Sequence, residues 1–188
     1  MTMPRVAPGG FAELGFINWT LWKVISRFAG TANARLFSTL GRQRALFRAW
    51  LRFSAQLMPG GMISRHETEL VILRVAHLRK CDYELDHHVR IGRRVGIKGE
   101  LLARVFVGPS APAWSTRQSA LLAAVDALVH TKNIDALAWD ALRTHYSEAQ
   151  TIELCMLVGQ YEMLATTIAT LQIASDFQPA ERWRHACV

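Results

Sequence analysis

Cys81, Glu84 and His88 bring a thiol, a carboxyl and an imidazole into one short stretch of the chain. Their spacing of i, i+3 and i+7 puts all three on one face of an α-helix. Glu69 lies upstream, directly before the apolar run that begins at Leu70, on a largely buried helix where a carboxylate must find a partner or accept a raised pKa. A thiol beside an imidazole and at a helix N-terminus favours thiolate. Glu84 and His88, one turn apart, can relay a proton, with Glu69 fixing the imidazole tautomer. The same spacing also suits structure alone: Cys81-x-x-Glu84 fits a helix start and His88 a hydrogen-bonded core histidine. As metal ligands Glu84 and His88 supply only two groups, and adjacent His87 points to another side, so no metal is expected.

The elements that must position these groups read as helices. Ser64-Arg65-His66-Glu67 has the form of a capping box and starts a helix that is apolar over most of its circumference. The next helix starts at Cys81 or Asp82 and stops before Gly96, with Arg90, Arg93 and Arg94 towards its C-terminal end. Before this pair, an amphipathic helix is predicted over 11–29, its apolar positions Phe11, Leu14, Ile17, Leu21, Val24, Ile25 and Phe28. A short helix over 33–40 follows, and then a third with Leu46, Trp50, Phe53 and Leu57 inward, ending at Pro59-Gly60-Gly61. After the pair come a short helix from Lys98 to Val105 and a Ser115-capped helix. A short one with Leu137, Trp139 and Leu142 precedes a long Ser147-capped helix that is apolar on nearly every side. Such a helix is either central to the bundle or presents a face to another subunit. The segment from Ser175 onward, with Pro179, Arg182, Trp183 and Arg184, reads as a peripheral tail. The expected class is all-α, without a strand or a fixed-period repeat.

Composition agrees with a globular protein and narrows its partners. The 188 residues are 51% hydrophobic and 20% charged, enough for one domain with a sizeable core. A formal charge of +7 raises nucleic acid or an anionic surface as partners. The Arg44, Arg48, Arg52 stripe lacks interleaved aromatics, however, and reads as a solvated face, so no nucleic acid is expected. The helix-turn-helix arrangement around Asn133 has no basic reading face. Charged residues interrupt the apolar N-terminus, which resembles neither a signal peptide nor a membrane span, so no membrane is expected. Cys81, Cys155 and Cys187 are odd in number and widely spaced, which fits a reducing cytoplasm better than a disulfide framework.

Taken together, Glu69-x11-Cys81-x2-Glu84-x3-His88, the following Val89-Arg90-Ile91-Gly92-Arg93-Arg94-Val95-Gly96-Ile97, and the later Glu153-Leu154 and Val158-Gly159-Gln160-Tyr161 resemble a known family. This is the carboxymuconolactone decarboxylase and alkylhydroperoxidase D superfamily. The resemblance spans about Phe37 to Ile173. It implies an AhpD-like orthogonal helical bundle over 37–175, a helical extension over 1–36 and a tail over 176–188. It also implies a homodimer, trimer or hexamer. The peroxidase branch uses a Cys-x-x-Cys pair, and here Glu84 stands where the attacking cysteine would be, which removes the local disulfide cycle. The decarboxylase branch implies cofactor-free proton chemistry on a small, carboxylated or lactone-like molecule. On that reading His88 exchanges the substrate proton, Glu84 polarises or relays, Glu69 orients, and Tyr83 and Tyr161 line the pocket. Two alternatives stand beside it: a Cys81-dependent peroxidase or redox sensor, and a non-catalytic ligand-binding oligomer.

Overall fold

Ser64, Ser115 and Ser147 each turn a side-chain oxygen onto a backbone amide three residues on, Glu67, Gln118 and Gln150 respectively. These caps fix three helix starts in a computed structural model that describes residues 3–177. Among the described residues the helices are α1 (Phe11–Phe28), α2 (Arg35–Leu40), α3 (Arg44–Leu57), α4 (Arg65–Leu78), α5 (Asp82–Arg94), α6 (Glu100–Val107), α7 (Thr116–Thr131), α8 (Ala136–Arg143) and α9 (Glu148–Leu171), with no strand.

α4 is apolar all round because it is covered on two sides. Val71, Ile72 and Val75 join a core with α7 and α9 residues such as Leu121, Val125, Leu154 and Leu157. Leu70, Leu73 and Ala76 face a second core with Leu85, Val89, Ile97, Leu102 and Val105. All six α4 side chains are fully buried, and the larger ones contribute roughly 1.5–3 kcal/mol each. Glu69 directly precedes these residues on α4 and α5 packs on the same helix, so the two helices that carry the polar motif are rigidly apposed. α9 has the length and apolarity of a membrane span, but 44% of its most apolar window is buried inside the protein.

A buried arginine on α4 braces the second core. Arg74 makes a two-pronged pair with Asp126 at 2.6 and 2.7 Å and donates to the carbonyls of Val105 and Phe106, capping the end of α6. The chain leaves that cap through Gly108 at φ 104°, where an added Cβ would lie 2.5 Å from Arg74 Nη2. Gly108→Ala combines backbone strain with displacement of a buried guanidinium. It is expected to destabilise by roughly 2–3 kcal/mol, seen as a melting temperature lower by roughly 5–10 °C.

Several expectations are corrected. α1 buries Leu14, Asn18, Trp22 and Ser26, while Phe11, Ile17, Val24 and Phe28 are exposed. Gly15, at φ 70° and ψ 168°, breaks the helical register, and Asn18 bonds to the carbonyls of Gly41 and Arg44. On α3 Leu57 is buried and Trp50 and Phe53 pack half-buried against the core as expected, but Phe47 is buried as well and Leu46 is 62% exposed. The arginine stripe is not merely a solvated face. Arg44 donates to the Ala12 and Glu13 carbonyls, next to the Gly15 break, and Arg48 donates to Asn18 Oδ1. The segment at Ser175 to Phe177 is packed rather than peripheral. Asp176 has a fully buried side chain. Pro179, Arg182, Trp183, Arg184 and Cys187 lie outside the described residues.

Candidate active site

α4 and α5 bring Glu69 against His88. Glu69 Oε2 lies 2.8 Å from His88 Nδ1, and its Oε1 lies 2.6 Å from Arg65 Nη2, one helical turn back. A carboxylate on Nδ1 calls for a proton there, which leaves Nε2 of the neutral ring as acceptor. Tyr161, reaching across from α9, meets that nitrogen with its hydroxyl at 3.2 Å. Arg65, Glu69, His88 and Tyr161 thus form one continuous polar line, closed from water except at the Arg65 end: Glu69 is fully buried, the His88 side chain is 10% exposed and Tyr161 is buried. Burial, and then the nearby carboxylates of Glu69 and Glu84, keep the Tyr161 phenol protonated by raising its pKa well above 10.

Glu84 occupies a different environment on the same helix. It is 3% exposed and neither carboxylate oxygen has a partner with full hydrogen-bond geometry. Desolvation raises its pKa from an ordinary 4.5 to about 8, against smaller opposing effects of the Cys81 thiol and Arg79. At neutral pH Glu84 is therefore mainly a carboxylic acid.

Cys81 occupies the N-cap position of α5, as its place in the sequence predicts, without a side-chain capping bond, and the expected activation of its thiol does not follow. Burial is the largest influence and raises the thiol pKa strongly, and the negative charge of Glu84 adds to it. The groups acting on the sulfur are Glu84 and Asp82, while His88 is engaged by Glu69 and Tyr161. At rest Cys81 is a protonated thiol next to a protonated acid.

A cavity of about 820 Å³ opens at this N-terminus and has Cys81 on its wall. That is within the usual size range of small-molecule sites. Arg79, Lys80 and Asp82 surround the mouth of α5, and Ile168 and Ile173 give an apolar side. Of the two tyrosines expected to line a pocket, Tyr83 does so, although its hydroxyl donates to Asp176 at 2.7 Å. Tyr161 instead lies behind the wall as the partner of His88. Sequence reasoning missed Arg65 as the second partner of Glu69, although its i, i+4 spacing was a readable signal.

Residues 44–127, which run from α3 into α7, match the model of the carboxymuconolactone decarboxylase family. The helical fold is shared with several solved structures. The alkylhydroperoxidase AhpD core of an uncharacterized peroxidase-related protein from Ralstonia eutropha JMP134 superposes with a TM-score of 0.80 at 18% identity, covering 97% of this chain and 96% of that one. The chain has an AhpD-like helical fold, and its residues 44–127 are similar to the carboxymuconolactone decarboxylase family. The debrominase Bmp8 has a TM-score of 0.79 at 16% identity, covering 97% of this chain and 95% of that chain. A protein of unknown function from Agrobacterium tumefaciens, described as a putative antioxidant defence protein AhpD, has a TM-score of 0.66 at 19% identity, covering 71% of this chain and 92% of that chain. No curated protein matches the sequence. At these identities the structural likeness speaks for the AhpD-like fold, and the chemistry has to be argued from the site itself.

Proposed function

We propose that this AhpD-like protein is an acid–base enzyme, a decarboxylase or isomerase, that works with its own side chains on a small organic acid or lactone held in the cavity beside Cys81. The observation that carries the reading is the pairing of Glu84, a buried acid with a pKa of about 8, with the hydrogen-bonded line from Glu69 through His88 to Tyr161. A general acid is most useful when its pKa lies near the working pH, and burial has moved a carboxyl into that range. In a decarboxylation, loss of CO2 leaves the bonding electron pair on carbon as a carbanion or enolate. The Cys81 thiol protonates that carbon and is itself reprotonated by the Glu84 carboxyl. A proton taken up from solvent converts His88 to the imidazolium paired with Glu69, and its Nε2–H then returns a proton through the Tyr161 hydroxyl to the Glu84 carboxylate. An isomerisation uses the same groups with no net proton change.

A second reading has one specific observation in its favour. Cys81 is the member of the proposed set that lines the cavity, and a cysteine-to-alanine variant of the debrominase Bmp8 has been crystallised with 2,3,4-tribromopyrrole. In that reading sulfur, not a proton, meets the substrate, and the raised thiol pKa must first be overcome.

Cys81→Ser separates the two, because a hydroxyl still passes a proton but is a far weaker nucleophile. Purified protein would be assayed with carboxylated lactones, with alkyl hydroperoxides plus a thiol reductant, and with halogenated pyrroles. The acid–base reading expects turnover of a lactone acid in deuterated water, with deuterium entering the product, and Cys81→Ser retaining activity within about tenfold. Turnover confined to hydroperoxides or halopyrroles and abolished in Cys81→Ser would overturn it.

A further inference from the structure

The helix that carries Glu84 and His88 has a second polar face that the proposed chemistry does not use. Tyr83, Asp86, His87 and Arg90 stand at i, i+3, i+4 and i+7, so they form one stripe along α5, beside the stripe of Cys81, Glu84 and His88. Every member of this second stripe grips the stretch that follows α9. Tyr83 Oη donates to Asp176 Oδ2 at 2.7 Å, and His87 Nε2 lies 3.0 Å from the same oxygen. Ser175 Oγ donates to Asp86. Phe177 packs against the His87 ring with centroids 4.9 Å apart, and the Arg90 guanidinium lies 3.8 Å over its face. The other oxygen of Asp176 accepts from the backbone amide of Arg35 at 3.0 Å, so the same carboxylate also secures the start of α2. Asp176 thus joins three segments through a side chain without solvent exposure.

Gln172 to Phe177, the stretch held in this way, forms one wall of the cavity that contains Cys81. We propose that Asp176 is a positioning residue that clamps this stretch to α5 and thereby sets the size of molecule admitted to Cys81. The clamp selects for compact ligands, because a longer body must displace Ile173 or Phe177 from the wall. That this chamber is the substrate chamber rests on the function proposed above, whereas the clamp itself can be read without any turnover.

The test measures labelling of Cys81 in the full-length protein by methyl and by benzyl methanethiosulfonate, resolved by peptide mass spectrometry, with the exposed Cys155 as internal control. Each reagent forms a mixed disulfide with the cysteine sulfur and releases methanesulfinate. Comparing two reagents at one thiol cancels the reactivity of that thiol and leaves access. Wild-type protein should favour the methyl reagent at Cys81 much more strongly than at Cys155. Asp176→Ala should raise the benzyl-to-methyl rate ratio at Cys81 by at least about tenfold, since hydrogen bonds to a buried charge are lost and local opening becomes correspondingly more frequent. General loosening of the fold would also relax the ratio, so Gly108→Ala, destabilised at the end of α6 and away from this wall, is the control: an equal rise there overturns the proposal. Should Asp176→Ala not fold, Phe177→Ala removes the ring contacts while sparing the buried hydrogen bonds, and the same change in ratio is expected. An unchanged ratio in the folded variant overturns the proposal, as does a Cys81 that the methyl reagent never reaches. Inactivity of the protein toward every lactone acid would defeat the proposed function and leave this result standing.

Discussion

His88→Ala is expected to lower turnover about a hundred- to ten-thousand-fold, the range that positioned acid–base groups supply. The size follows from how completely the ring is engaged. Glu69 takes one nitrogen at 2.8 Å and Tyr161 the other at 3.2 Å, so no second side chain can inherit its place between them. Alanine also leaves the fully buried Glu69 with Arg65 as its ion-pair partner, which costs stability, so the folded state must be checked by its thermal transition. His88→Gln keeps a polar group of similar length and separates the two effects: it should restore most of the stability and little of the rate. Glu69→Gln removes the charge that orients the ring and should cost less than loss of the ring itself. Tyr161→Phe leaves Nε2 without its hydroxyl and should lower the rate while barely moving KM. Full activity in a folded His88→Ala protein would remove His88 from the mechanism, and with it the acid–base assignment.

The parts of this site that were legible in the sequence are those fixed within a few residues. The Ser64 and Ser147 caps locate the starts of α4 and α9, and the spacing of Cys81, Glu84 and His88 locates a face of α5. A shared face does not settle who touches whom. Glu84 acts on Cys81 while His88 turns to Glu69 and Tyr161, so the thiol expected to be activated by an imidazole is held protonated instead. Tyr161 lies 73 positions from His88, and Asp176 lies 93 from Tyr83; partnerships at such separations are decided by helix packing, to which a local pattern is blind. α1 shows the same limit on a smaller scale. Its apolar residues repeat at helical spacing, but the break at Gly15 and the hydrogen bonds of Asn18 decide which side faces inward. The second stripe on α5 was present in the sequence all along, as Tyr83, Asp86, His87 and Arg90. Its meaning depended on a segment that composition alone assigned to a tail.

Glu84→Gln should uncouple both activity and stability from pH in a way no other substitution at the site would. With a pKa of about 8 in the folded protein and about 4.5 when unfolded, Glu84 keeps its proton on folding throughout the interval between those values. There the native state binds more protons than the unfolded state, so stability falls as pH rises, by up to about 1.4 kcal/mol per pH unit from this one group. Below the unfolded value both states are protonated, above the folded value both are ionised, and the slope ends on each side. Glutamine is neutral in both states and lacks the slope. It buries an amide where the acid already lacked full hydrogen bonds, so it should bring no gain at pH 5. Urea unfolding of the two proteins from pH 5 to 9 should therefore show the variant equal or weaker at the acid end and more stable at the alkaline end. Turnover should lose its pH dependence too: wild-type kcat declines above pH 8 as the acid ionises, whereas the variant, unable to donate a proton, is about a hundredfold slower or worse and shows no such decline. Parallel stability curves over the whole range would mean that Glu84 is ionised in the folded protein at neutral pH, and a buried carboxylate cannot then be the acid that protonates the product.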